Sequence, residues 1–277
     1  MALNLTFEGT SRTVETRTWK IHYNEAGEGH PLLMLHGSGP GATGWSNFGP
    51  NLGVLAERYR VIAVDMPGWG LSDAVTVDER DHVRAALDLL DALDIEQAAF
   101  VGNSMGGMTS IRFATEHPER MSHLITMGPG SPGPILFGFG DGPTEGLKVL
   151  NKAYRDPSPE VMAELVDIMT FDPKFASPEL ARQRSEAALS RPDHLENFIA
   201  GIGRRPFIDL AKLPDISVPT LLMHGRDDRV VHYEHSLKLL ACIPNSRLVL
   251  FNRCGHWAQL EHADEFNRLV DDFVAHN

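Results

Sequence analysis

Gly102-Asn-Ser-Met-Gly106 sets a serine two residues from a glycine on either side. Ahead of it runs the apolar stretch Ala98-Ala-Phe-Val101, and after it Met108, Ile111 and Phe113-Ala114 recur at helical spacing. Strand, sharp turn and helix in that order hold the Ser104 hydroxyl clear of the chain. The tight turn leaves no room for β-carbons at the flanking glycines. The first N–H groups of the following helix favour negative charge beside the hydroxyl. A serine hydroxyl is a weak nucleophile at neutral pH; it needs a base, and the base needs an orienting acid. Among thirteen histidines, His256 stands out by position, between Gly255 and Trp257 just past the run Leu248-Val-Leu-Phe251. The acid lies after another apolar run, in Gly225-Arg-Asp-Asp228. Asp227 competes there, and the fourth place in the turn selects Asp228. Ser104, Asp228 and His256 then follow in the chain order expected of an elbow hydrolase.

A second loop bears on the same chemistry. Pro31-Leu-Leu-Met-Leu-His36 reads as a buried strand and runs into His36-Gly-Ser-Gly-Pro-Gly-Ala-Thr-Gly-Trp-Ser-Asn47. Four glycines between positions 37 and 44 let the backbone approach a ligand closely. The loop has neither of the glycine patterns that bind phosphate. It suits an oxyanion hole, with donor N–H groups from Ser38 and from Met105, the residue after the nucleophile. His36 reads as a hydrogen-bonder under that loop, Asp65 and Asp73 as turn carboxylates, and His224 as packed. His22, His82, His117, His123 and His262 read as surface or turn residues. No histidine–carboxylate group has metal-ligand spacing, so neither metal nor other cofactor is expected.

These residues need a scaffold that brings strand ends together. The chain has 277 residues, 42% of them hydrophobic, which suits one large α/β domain with an insertion. Residues 3–26 alternate like antiparallel strands at a sheet edge. Tyr59–Asp65, the elbow strand, Leu124–Met127, Pro219–His224 and Leu248–Phe251 read as buried strands, and 79–94 as a helix. From Gly128 the pattern changes. Residues 128–146 are rich in Gly and Pro, with exposed-looking Ile135, Leu136, Phe137 and Phe139. Three helical stretches follow, opening at Ser158-Pro-Glu, Ser177-Pro-Glu and Pro192. The expected architecture is α/β: a mostly parallel sheet with helices on both faces. The core would comprise 1–130 and 214–277, with a helical cap inserted at 131–213.

Net charge of −12 without a basic block argues against nucleic acid or an anionic membrane as partner. No apolar run approaches a membrane span and no signal peptide is seen. Two cysteines, Cys242 and Cys254, imply no disulfide framework, which fits a cytoplasmic protein.

The chain resembles the α/β-hydrolase superfamily over nearly its whole length. More narrowly it resembles the meta-cleavage-product hydrolases, which cut carbon–carbon bonds in aromatic-compound degradation. The stretches that carry this are His36–Asn47, Gly102–Gly107, Arg191-Pro-Asp-His-Leu-Glu-Asn-Phe198, Gly225-Arg-Asp-Asp-Arg-Val230 and Cys254-Gly-His-Trp-Ala-Gln-Leu-Glu261. The resemblance implies a 2-hydroxy-6-oxo-hexa-2,4-dienoate substrate, cut between C5 and C6 into a 2-hydroxypenta-2,4-dienoate and a carboxylic acid. It implies that Arg191 binds the substrate carboxylate, that Asn103 and Trp257 line the dienoate end, and that Asn47 and Gly37 lie near the oxyanion loop. It also implies a homodimer or larger homo-oligomer. On residue type alone, Arg191 would be a surface arginine in an ion pair, whereas Trp257 could equally be a core aromatic over the triad and Asn103 equally a turn amide. Many relatives have glycine in place of Ser38, so a side chain enters the loop here. Val231 and Ile135-Leu-Phe137 are the expected apolar pocket for the C6 substituent. Two rivals use the same residues: a carboxylesterase or lactone hydrolase, which needs no carboxylate clamp, and a ligand-binding receptor on a hydrolase scaffold.

Overall fold

The computed structural model describes residues 5–138, 143–202 and 208–277. In chain order the elements are α1 (Phe7–Thr10), β1 (Ser11–Glu15), β2 (Lys20–Ala26), β3 (His30–Leu35), α2 (Gly44–Leu55), β4 (Tyr59–Val64), α3 (His82–Ala92), β5 (Ala98–Asn103), α4 (Met105–Glu116) and β6 (Met121–Met127). Then come α5 (Glu145–Arg155), α6 (Pro159–Met169), α7 (Pro178–Leu189), α8 (Pro192–Ala200), β7 (Thr220–Gly225), α9 (Glu234–Cys242), β8 (Ser246–Phe251), α10 (Ala258–Glu261) and α11 (Ala263–His276).

The strands form one sheet in the order β1-β2-β4-β3-β5-β6-β7-β8. β1 and β2 are the antiparallel edge, and every pairing from β4 to β8 is parallel. Alternate residues feed opposite faces, as the two-residue period of a strand requires. Leu33, Leu35 and Phe100 pack toward α3 and α4, whereas Leu32, Met34 and Val101 pack toward α2 and α11. Both faces are covered, which is why these strands read as unbroken apolar runs. β3 has β4 on one side and β5 on the other, so the chain reverses its winding there. The loops after β3 and β5 open at that crevice, where ligands bind in open α/β sheets.

Among the described residues four α-helices stand between β6 and β7 rather than the three helical stretches expected, because α5 precedes the Ser-Pro-Glu pair. Its cap is Thr144, whose hydroxyl accepts from Leu147 N–H at 3.2 Å. Without a proline at its first position it escaped the pattern that marked the others. The two Ser-Pro-Glu starts also differ: Ser177 caps α7 through its side chain, whereas Ser158 makes no side-chain cap bond. The helix expected over 79–94 starts at His82, after Asp81, whose carboxylate accepts from Arg84 N–H. The four helices share a small core of their own, which takes in Val230 and Trp257 from the loops after β7 and β8. Among the described residues no helix is long and apolar enough to cross a membrane.

The elbow depends on its glycines. A β-carbon on Gly106 would land on the Leu35 carbonyl, and one on Gly102 would meet the Gly106 carbonyl. Neither neighbour can yield, because both are main chain between packed elements. Gly106→Ala is therefore expected to destabilise the protein by about 3 kcal/mol, the upper end for overpacking a core. Urea titration of wild type and variant reads this directly, and an unchanged midpoint would refute it.

Candidate active site

Ser104 sits between β5 and α4 with φ 52° and ψ −111°, a conformation that side chains rarely adopt. It is held there by its own N–H, which donates to Met127 O at 2.8 Å, and by Gly106 N–H, which donates to His36 O at 3.1 Å. His256 follows β8 and is fixed by its N–H donating to Met169 O at 2.8 Å, a bond to the end of α6. Its ring Nδ1 meets Asp228 Oδ2 at 2.7 Å. Asp227 does not take part; its N–H donates to Cys254 O and its Oδ2 is buried without a partner. The Asp228 carboxylate is nearly saturated with donors. Val230 and Val231 N–H donate to Oδ1 at 2.7 and 2.9 Å. His224 Nε2 lies 3.2 Å from Oδ2, and 2.8 Å from Val231 O.

Burial alone would raise the Asp228 carboxyl pKa, but His256 and His224 beside it outweigh that and hold it well below the usual carboxylate range. A permanent carboxylate fixes the His256 proton on Nδ1 and leaves Nε2 as a base. Gly128, at φ +54°, closes over this pair; a β-carbon there would lie 3.0 Å from His256 Nδ1.

The loop after β3 forms the opposite wall. His36 is fully buried, with Nδ1 donating to Gly37 O at 2.7 Å and Nε2 accepting from Met66 N–H at 3.0 Å, so it supports the loop. Gly37 allows a close approach, since a β-carbon there would lie 3.0 Å from Asn103 Oδ1. The Ser38 carbonyl accepts from the Tyr154 hydroxyl and the Gly39 carbonyl from Trp69 Nε1 at 3.1 Å. Both bonds turn those carbonyls away toward aromatic groups.

Asp65 and Asp73 are turn carboxylates, accepting from Gly44 and Leu71 N–H and from Lys20 N–H respectively. His224 is packed, with Nδ1 2.7 Å from Ser236 Oγ. His22, His82 and His123 are buried rather than superficial; His22 pairs with Asp65 at 2.8 Å.

A cavity of about 130 Å³ lies over Ser104 and His256. Gly37, Ser38, Asn47, Asn103, Met105, Val231 and Trp257 all line it. Asn103 is fully buried; its amide donates to Met127 O at 3.3 Å and His256 O at 3.2 Å, leaving Oδ1 unpartnered. Asn47 Oδ1 is likewise buried without a partner.

Arg191 is not in this cavity. Its guanidinium donates to Gly70 O at 2.7 Å and pairs with Asp193 at 2.9 Å, beside a separate hollow. It opens α8, and its side chain folds back on the loop after β4 instead of reaching across to Ser104. Two arginines do line it, Arg80 and, beside Trp257, Arg184 of α7. Arg184 is the one on the Trp257 side, where the resemblance puts the dienoate end. It is 3% exposed, stands 4.5 Å over the Trp257 ring, and has a buried Nε without a partner. Burial lowers its pKa to about 10, so it remains a cation at neutral pH. The sequence carried a signal for it: Ala181, Arg184, Ser185 and Ala188 fall at i, i+3, i+4 and i+7, one helix face, and all four are buried. Ile135, Leu136 and Phe137 do not line the cavity either. Leu136 and Phe137 are 80% and 75% exposed, with their N–H groups donating to the Glu234 carboxylate. Phe139 lies outside the described residues. Apolar lining comes instead from Met105, Met108, Leu147, Leu150 and Val230, besides Val231. Among the described residues no group of three His, Cys, Asp or Glu side chains could hold a metal ion.

The sheet order and the strained serine between β5 and α4 define an α/β hydrolase, and the family model for the alpha/beta hydrolase fold matches residues 30–263. Relatives narrow this. The chain is 45% identical to a 2-hydroxy-6-oxononadienedioate/2-hydroxy-6-oxononatrienedioate hydrolase of Cupriavidus pinatubonensis, over 98% of this chain and 97% of that one. It is 47% identical to a 2-hydroxy-6-oxo-6-phenylhexa-2,4-dienoate hydrolase of Comamonas testosteroni, over 92% and 91%. The crystal structure of a meta-cleavage product hydrolase from Pseudomonas fluorescens superposes with a TM-score of 0.84 at 34% identity, covering 95% of this chain and 96% of that one. The chain belongs to the meta-cleavage product hydrolases, within the α/β hydrolases.

Proposed function

We propose that the protein hydrolyses the C5–C6 bond of a 2-hydroxy-6-oxo-hexa-2,4-dienoate, releasing a 2-hydroxypenta-2,4-dienoate and a carboxylic acid. The observation that carries this reading is the buried guanidinium of Arg184, which has no carboxylate partner among the described residues, in the same cavity as Ser104. An ester substrate has no need of such a group. A guanidinium grips a carboxylate through two parallel N–H bonds, so Arg184, stacked on Trp257, holds the C1 carboxylate of the dienoate. Asn103 and Asn47 stand in the same cavity with free carbonyl oxygens, suited to the 2-hydroxyl.

Direct attack on C6 would have to expel a vinyl carbanion. Ketonisation of the clamped dienoate avoids this by placing a proton on C5. Cleavage then expels an enolate stabilised by conjugation with the carboxylate end. His256 takes a proton from Ser104, or from water held by it, while Asp228 fixes the imidazole. The N–H groups of Ser38 and Met105 receive the oxyanion formed on C6. In balance, the oxygen of water joins C6 and a proton joins C5. The helices within 131–213 serve as a cap that closes the hydrophobic end over the substituent on C6. The full reading includes a cytoplasmic homo-oligomer, consistent with two free thiols at Cys242 and Cys254.

The test is spectrophotometric. Coloured dienoates with alkyl or phenyl groups on C6 should bleach, with stoichiometric release of the carboxylic acid. Fast turnover of simple phenyl esters with no bleaching of any dienoate would replace this reading with an esterase. A single burst below one equivalent would replace it with a receptor.

A further inference from the structure

We propose that Tyr154 is a positioning residue for the oxyanion hole: its hydroxyl fixes the loop after β3 so that the Ser38 N–H faces the oxyanion formed by attack from Ser104. This rests on the oxyanion hole of the reading above and not on the choice of substrate. Tyr154 belongs to α5, one of the helices between β6 and β7. Its side chain lines the hollow beside Arg191 and is not part of the cavity over Ser104, so it acts through the loop and not on the substrate.

The hydrogen bonds around Tyr154 allow one arrangement of protons. Trp69 Nε1 can only donate, and it reaches both Gly39 O and the Tyr154 oxygen at 3.1 Å. The Ser38 carbonyl can only accept, so the Tyr154 hydroxyl gives its one proton there. Burial pushes that hydroxyl well above the ordinary phenol range, so the proton stays on it. The ring is fixed as well. It is 2% exposed and stacks on Phe198 of α8, with ring centres 3.7 Å apart and 8° between the planes. One chain of donors therefore runs from the loop after β4, through α5, to the loop after β3.

The loop needs such an outside partner. The N–H and the carbonyl of Ser38 flank one α-carbon, and the residues on both sides, Gly37 and Gly39, have no β-carbon to restrict rotation. Packing limits where the loop lies: a β-carbon on Gly39 would be 3.3 Å from an Arg184 guanidinium nitrogen, and one on Gly41 would be 2.5 Å from the Arg184 carbonyl. Packing does not choose which way a peptide plane faces; a hydrogen bond does. Without the Tyr154 hydroxyl the Ser38 carbonyl loses its donor, and turning to find another takes the N–H out of line.

The test uses Tyr154→Phe, which keeps the ring and its stack on Phe198, and Trp69→Phe, which removes the N–H that orients the hydroxyl. One readout is kcat and KM for dienoate hydrolysis. The other is Ki for phenylboronic acid, whose tetrahedral adduct on a serine puts an oxygen where the oxyanion forms. Loss of an oxyanion donor outright costs about 10² to 10³ in kcat, so misaligning one should cost Tyr154→Phe about 10- to 50-fold. KM should stay within about twofold, since the contact matters only in the transition state. The boronate Ki should rise by about the factor that kcat falls, and it does not depend on how much of a variant is folded. Trp69→Phe should move both quantities the same way, and it carries the test if Tyr154→Phe does not fold. An unchanged boronate Ki overturns the proposal, and so does a KM that rises while kcat holds. A wild type that bleaches no dienoate overturns the underlying substrate reading instead, and the boronate Ki then decides the role of Tyr154 alone.

Discussion

Asp228→Asn is expected to lower kcat for dienoate hydrolysis by about 10⁴, the scale on which a mis-set histidine tautomer disables a serine–histidine pair. The reason lies in the donors around this carboxylate. Oδ1 accepts from the Val230 and Val231 N–H groups, and Oδ2 from His256 and His224. An amide cannot serve both sides. If its oxygen stays with the two valines, its NH₂ faces His256 Nδ1, which must then accept. The imidazole proton moves to Nε2, and the base is lost. If the amide flips, the valine N–H groups face an NH₂ and lose their acceptor. Either way the variant should also be less stable at neutral pH. The native carboxyl titrates well below the ordinary range, so the stability it contributes is present above the unfolded value of about 3.9 and disappears as pH falls through the folded one. The stability gap between wild type and variant, read from urea titrations at several pH values, should thus be open at pH 7 and narrow below about pH 4. A loss of less than tenfold in kcat, with the fold intact, would remove Asp228 from the proposed machinery.

The second large effect separates two arginines. Arg184→Met should reduce kcat/KM for every dienoate by about 10² to 10³, since removing one member of a desolvated charge pair costs about 3–4 kcal/mol. Arg191→Gln should change it by no more than about threefold. Arg191 bonds main-chain carbonyls at Gly70 and Ser72 and the nearby Asp193 carboxylate, so its removal costs mainly stability, about 1 kcal/mol. Steady-state kinetics of the two variants decide the matter. The reverse pattern would return the substrate clamp to Arg191 and leave Arg184 a structural cation under the cap helices.

The pair also shows where the sequence was legible. Ser104, Asp228 and His256 each stand just past a strand end, and strands buried on both faces announce themselves as apolar runs. Counting from Gly225 pointed to Asp228 over Asp227, and it is Asp228 whose carboxylate meets His256, because the turn geometry is local. His36 could be placed because its loop had to be braced from below. The proposed clamp was harder to find. Arg191 stood in a helix-start pattern and drew attention, whereas Arg184 lay inside a helix among alanines. What selects Arg184 is the way α7 packs against Trp257 and the loop at Gly39, a contact between segments more than 70 residues apart. The same limit applied to Ile135, Leu136 and Phe137, whose apolar character said nothing of which way they point. His22 looked superficial because its partner, Asp65, lies 43 residues further along and meets it only where β2 pairs with β4.

A serine kept at φ 52° and ψ −111° lies where glycine alone settles without penalty, at a standing cost of about 1–3 kcal/mol. Selection for heat resistance alone would therefore drift toward glycine at position 104 and discard the reactive hydroxyl. In this enzyme the most comfortable backbone and the working one are different molecules, and any programme of thermal improvement has to hold that residue fixed and look for its gains elsewhere.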